Sequence, residues 1–178
     1  MFKSIFSGIF RSSQEAEGKG NSTKSRLASH LPEFPPIGKD GTKIMKTVTF
    51  TLSGVNHKHD GSDPQKVIKP GMKGQWLTLQ ADSKNKYDET AVKVLYNGQY
   101  IGWLPQSNIS LDESKAKQMI FKRLCHGMEV LARLDHTTYI QVGGWDLDEN
   151  DPRIDKYQFT SAVITCAIYE LPGGRYPK

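Results

Sequence analysis

The 178-residue sequence has two cysteines, Cys125 and Cys166, in no paired or CxxC spacing. That excludes a disulfide scaffold and a cysteine zinc site. Both are expected to be buried, reduced thiols in a cytoplasmic protein. No apolar run approaches the roughly 20 residues of a membrane-spanning helix, so no transmembrane segment is expected. The N-terminus also lacks the small-residue cleavage site of a secretory signal. There is no P-loop, no GxSxG and no HExxH. No catalytic residues, no cofactor and no enzyme activity are therefore expected. His57 and His59 have H-x-H spacing but lack a defined third ligand, and Asp146–Asp151 is acidic but lacks an EF-hand's glycine and final glutamate. Neither is expected to hold a metal.

Apolar residues are also scarce, at 37%, which implies that part of the chain carries no core. The charge places that part. Residues 1–46 hold 8 Lys/Arg against 4 Asp/Glu, and residues 47–178 hold 16 against 15. The net charge of +5 thus belongs mostly to the N-terminal region, and global charge makes no case for nucleic acid. Residues 12–46, rich in Ser, Gly, Pro and Lys, cannot bury enough apolar surface to offset their ordering entropy. They are predicted to be a flexible linker. Ahead of them Phe2, Ile5, Phe6, Ile9 and Phe10 recur at helical spacing. Residues 1–13 are either an amphipathic contact for a membrane surface or a protein partner, or a segment with no such role. The predicted division is 1–46 tail, 47–172 domain and 173–178 short C-terminal tail.

From residue 47 the pattern is β. Val48, Phe50 and Leu52 alternate with polar residues, as do Leu77 and Leu79. Strands are predicted at 91–96 and 99–104, joined by Asn97-Gly98, the strongest short signal for a type I′ hairpin turn. Ser110 and Glu113 form a capping box for one helix, with Ala116, Met119, Ile120 and Leu124 at helical spacing and Gly127 as its stop. One or two strands follow in 128–142, and a last one in 158–171. The expected fold is mainly β: a small, OB-like, six-stranded barrel with one helix, preceded by a disordered tail.

The stretch KNKYDETAVKVLYNG (84–98) crowds Asn85, Tyr87 and Asp88 just ahead of a strand. Asn and Asp are turn formers whose side chains bond nearby backbone, and a tyrosine can cover a barrel rim. Alternatively, Tyr87 offers a stacking face for a base, Asn85 a donor and an acceptor, and Lys84 and Lys86 contacts to phosphate. An ionised Asp88 repels phosphate but accepts a hydrogen bond from a free hydroxyl, which would make the stretch a reader of strand ends.

Residues 76–105 closely resemble the HIRAN domain core: an apolar strand, Asn-x-Tyr-Asp, an Ala-Val strand, a hairpin and Ile-Gly-aromatic-Leu-Pro. A looser match covers about 47–171. The resemblance implies an OB-like barrel that captures the 3′-hydroxyl end of single-stranded DNA. Family members fused to helicase, nuclease or ubiquitin-ligase domains carry catalysis there, and bacterial and phage members stand alone. By the resemblance Tyr87 stacks on a base, Asp88 contacts the terminal hydroxyl and Asn85 lines the end pocket. Lys86 replaces a proline. After Gly54-Val55 an animal member has an arginine and two tyrosines on the DNA. This chain has Asn56, His57, Lys58 and His59, where Lys58 is placed to recover a phosphate contact and His57 to stack. Trp103 replaces a histidine and adds a stacking face. The expected partner is a single-stranded DNA 3′ end, with RNA as the other nucleic acid to compare. The competing reading is a protein-interaction or regulatory adaptor that keeps the barrel without binding DNA.

Overall fold

The computed structural model describes residues 31–141 and 158–177. The amphipathic segment 1–13 and the acidic run 146–151 lie outside them. Six antiparallel strands form one sheet: β1 (Ile44–Thr51), β2 (Trp76–Ala81), β3 (Val92–Tyr96), β4 (Gln99–Trp103), β5 (Leu131–Gln141) and β6 (Gln158–Tyr169), in the order β1-β6-β5-β2-β3-β4. Helix α2 (Leu111–Cys125) follows β4, and a one-turn helix, α1 (Pro64–Val67), not expected from the sequence, lies between β1 and β2.

The alternation predicted from the sequence is the one that forms. Val48, Phe50, Leu77, Leu79, Val92, Val94, Leu134 and Ile164 point into one core. Asn97 and Gly98 take φ of 49° and 76°, the left-handed pair a type I′ turn needs. Ser110 and Glu113 make both halves of the capping box. The region after α2 is a single long strand, β5, with a register shift between Leu134 and His136.

The sheet curls until its two edges meet. Just beyond β1, Ser53 pairs with Trp103 at the end of β4: Ser53 N donates to Trp103 O at 3.0 Å and Trp103 N to Ser53 O at 2.9 Å. Edge strands left unpaired expose a row of donors and acceptors, and this reciprocal pair closes the ring there. Gly102 makes the approach feasible. Its φ is 153°, and a Cβ there would sit 3.0 Å from Ser53 O and 3.1 Å from both Leu52 Cβ and Val55 Cγ1. The glycine of the Ile-Gly-Trp run is thus a closure residue. On another side of the ring, the Gln65 amide stands in for a strand segment, donating to Val55 O and Thr160 O and accepting from Thr160 N.

Helix α2 lies against β1 and β2 and buries Ala116, Lys117, Ile120 and Arg123. Met119 and Leu124 pack at the edge of that face. Two basic residues therefore lie inside a stripe predicted from apolar spacing. Cys166 is buried as expected, but Cys125 is exposed, because it falls off the stripe that runs through Ala116, Ile120 and Arg123.

The stretch predicted as linker also differs where it is described. Residues 31–43 lie on the barrel. Arg133 Nη1 donates to Pro32 O, Tyr169 Oη donates to Pro35 O at 2.7 Å, and Phe34 packs edge-on against Trp76. Ile37 bridges to Lys43, and β1 begins three residues ahead of position 47. Composition missed this because the anchors are mostly backbone carbonyls of a proline-rich segment, which any sequence supplies.

Gly102→Ala should destabilise the protein by about 2–4 kcal/mol, combining backbone strain with three sub-van der Waals contacts. Gly98→Ala, where no atom lies within 4 Å of the new methyl, should cost only about 1–2 kcal/mol for its left-handed backbone. Urea unfolding of the two variants measures the difference.

Candidate nucleic-acid interface

The loop between β2 and β3 is built by short side-chain-to-backbone bonds, one after another. Asp82 Oδ1 accepts from Lys84 N, and Asn85 N donates to Asp82 O. Asn85 Oδ1 gathers the amides of Tyr87 (2.9 Å) and Asp88 (3.1 Å). Asp88 Oδ1 gathers the amide and hydroxyl of Thr90. From beyond β4, Gln106 Nε2 donates to Tyr87 O at 2.9 Å. The Asn and Asp side chains thus hold the turn, as such residues do. The consequence for Tyr87 is that its backbone is fixed from both sides while the residue as a whole is 89% exposed.

Tyr87 borders a cleft of about 440 Å³ shared with Ser53, His59, Asp82, Asn85, Lys86, Asp88, Ala91, Trp103, Leu104 and Gln106. Of the residues singled out from sequence, Asn85, Lys86, Tyr87, Asp88 and Trp103 come together here. Lys84 is exposed on the same loop. His57 and Lys58 do not reach the cleft. Gly54, with φ of 68°, turns the chain so that His57 N donates back to Gly54 O, and Lys58 points to Asp63 at 3.9 Å. His59 takes the place at the cleft instead.

Trp103 is held by its neighbours. His59 lies 5.2 Å and Tyr100 5.7 Å from it, ring centre to ring centre, and the Lys93 ammonium sits 5.5 Å over its ring. Lys93 is itself tied to Asp60 at 2.7 Å. Tyr100 Oη donates to Gly54 O. Burial, reinforced by the Asp60 carboxylate, pushes the phenol's pKa up and keeps it a neutral donor. Tyr87, free, and Trp103, braced, therefore border a single cleft whose lining also includes Asn85 and Lys86. Such a surface offers stacking faces to a planar ligand. Among the described residues no group of three His, Cys, Asp or Glu side chains could hold a metal ion, and no helix is long and apolar enough to cross a membrane.

Asp88 has a second duty that the sequence did not reveal. Its Oδ2 accepts from Lys117 Nζ of α2 at 2.5 Å, and the Lys117 side chain is only 3% exposed. An ammonium that deep needs a counter-charge, and Asp88 provides it. The pair ties the loop to the helix. A carboxylate has about four acceptor sites; Thr90 and Lys117 occupy three, which leaves one on Oδ2. Burial pushes the Asp88 carboxyl up, but the bonds from Lys117 and Thr90 outweigh it and hold it below the ordinary value of 3.8. Lys117, Gln106 and His59 were missed as site residues. The only trace of Lys117 is its place beside Ala116 and three residues from Ile120 on the buried stripe.

No protein-family model and no curated protein matches the sequence. Among solved structures, the chain is similar to the crystal structure of the HIRAN domain of human HLTF, at 14% identity over 70% of this chain and 76% of that one, with a TM-score of 0.40. It is also similar to the crystal structure of a protein from Lactobacillus plantarum, at 15% identity over 69% of this chain and 98% of that one, with a TM-score of 0.38.

Asp88→Ala should destabilise the fold by about 3–5 kcal/mol, because it strands a buried ammonium. The double variant Asp88→Ala/Lys117→Met should recover part of that loss. The folded-state carboxyl pKa is lowered, so the stabilisation is fully present above the unfolded-chain value and is lost as pH falls through the folded one. Urea midpoints should therefore drop for the parent below about pH 4 and drop less steeply for the double variant.

Proposed function

We propose that this chain is a non-catalytic module that binds single-stranded nucleic acid, with the terminal base of a DNA strand stacked on Tyr87 and its 3′-hydroxyl at Asp88. The observation that carries this reading is Tyr87 itself: an aromatic residue, 89% exposed, on a loop whose backbone is already fixed. A fully exposed tyrosine contributes little to folding, and a pre-ordered one loses little entropy when a base covers it. Trp103 supplies a second face in the same cleft. Lys84 and Lys86 are exposed on the same loop and have no acidic partner among the described residues, and Lys86 lines the cleft. The resemblance of residues 76–105 to the HIRAN core supports the same assignment. Such a module fits cytoplasmic DNA replication, repair or recombination.

The Lys117 pairing refines the role of Asp88. One acceptor site remains for a terminal hydroxyl, but the neighbouring ammonium offsets the carboxylate's charge. Repulsion of a 3′-phosphate is then weaker than a bare carboxylate would give. Asp88 is also a poor residue to remove as a test of recognition, because its loss damages the fold.

Fluorescence anisotropy with short labelled strands tests the reading. Tyr87→Ala should weaken binding by about five- to a hundredfold, the worth of one stacked base, while Tyr87→Phe keeps most of it. The parent should prefer a 3′-hydroxyl strand over the same strand ending in 3′-phosphate by roughly three- to tenfold. Unchanged binding by a folded Tyr87→Ala variant overturns the stacking role. Equal binding of the two ends overturns the end-reading role. No binding of any strand by the parent leaves the adaptor reading in its place.

A further inference from the structure

A second cavity, of about 500 Å³, is lined by residues of the 35–40 segment, the C-terminal end of α2 and the turn after it, the end of β6, and Pro172 and Pro177. Its walls are mostly apolar: Pro35, Ile37, Met128, Leu131 and Tyr169 contribute. It shares no lining residue with the Tyr87 cleft. The volume is within the range of small-molecule sites.

One wall residue is out of keeping with the rest. Arg123 is 3% exposed. Its Nη2 donates to Tyr169 O at 2.8 Å, and its Nε is buried with no acceptor among the described residues. No carboxylate pairs with it among them. The two acids at the cavity are otherwise engaged: Glu129 with Lys39 at 2.9 Å, and Asp40 with the amide and hydroxyl of Thr42. A buried guanidinium without counter-charge is costly, and burial lowers its pKa. Apolar walls meeting an uncompensated cation call for a ligand with an apolar body and an anionic head.

We propose that this cavity is a binding site for a small carboxylate with an aliphatic or aromatic body, its head group drawn to Arg123 and its body lying against Ile37, Met128 and Leu131. The site is independent of the nucleic-acid reading. The 35–40 segment forms one side, and the Lys39–Glu129 ion pair fastens it across the rim. That ion pair is exposed and of small worth, while Tyr169 Oη holds Pro35 and Ile37 pairs with Lys43 behind it.

The test uses the full chain and three probes of equal chain length: octanoate, octanol and octylamine. Backbone-amide NMR titrations should show saturable octanoate shifts at residues 37–40 and 123–131. Octanoate should bind about tenfold or more tighter than octanol, the worth of one hydrogen bond to a charged group, and octylamine weakest. Arg123→Met should erase the preference for octanoate over octanol. Leu131→Trp, which fills the cavity and keeps Arg123, should abolish binding of both. Equal affinity for the three probes, shifts centred on the Tyr87 cleft, or undiminished octanoate binding by Leu131→Trp would overturn the proposal. If Arg123→Met does not fold, the parent's ranking of the probes and the Leu131→Trp result decide the matter.

Discussion

Two hydrogen bonds between Ser53 and Trp103 join the edges of the sheet, and the candidate interface depends on them. They set the end of β4, and so the position of Trp103, against the turn at Gly54 and within 5.2 Å of the His59 ring. They are possible only because Gly102 has no side chain to meet Ser53 O. A motif that resembles a binding signature at Trp103 is therefore first a closure device at Gly102, and the ring beside the cleft is a consequence of that closure. The same economy holds across the cleft, where the Asn85 and Asp88 side chains hold a turn and thereby present Tyr87.

The two readings of the Asn-x-Tyr-Asp stretch are thus compatible. Asn85 Oδ1 and Asp88 Oδ1 form the turn by the bonds they accept from nearby amides and the Thr90 hydroxyl. Tyr87 is the residue whose side chain the fold leaves unused. Asp88 lies between these roles, committed to Thr90 and Lys117 with one acceptor site remaining. A buried ion pair of this kind is weak evidence for stability and strong evidence for dependence: removing either partner alone costs far more than the pair contributes.

Much of the fold was legible because it rests on local signals. The Asn97-Gly98 turn, the Ser110–Glu113 box and the alternation of Val48, Phe50 and Leu52 each carry their geometry within a few residues. Of the candidate cleft, the contiguous part, Asn85–Asp88, and Trp103 were legible as residues that come together. What the sequence hid were partners distant along the chain. No local signal marks Lys117 and Arg123 as buried; the barrel packs one against Asp88 and the other against Tyr169. The 31–43 stretch read as linker because its anchors are carbonyls accepting from Arg133 and Tyr169, about a hundred residues or more away. His57 and Lys58 read as contact residues from their order after Gly54-Val55, but it is His59, paired with Ser62 across the turn at Asp60-Gly61, that lies against Trp103.

The central claim is that one cleft, between Tyr87 and Trp103, receives the strand. Mapping amide and indole NMR shifts on titration with a short single-stranded DNA tests it most directly. The account predicts the largest changes at Asn85–Asp88, at Gln106 and at the Trp103 indole N–H, with His57, Lys58 and the Arg123 cavity unmoved. Changes confined to the Lys58–Lys66 surface, with Tyr87 and Trp103 silent, would contradict it.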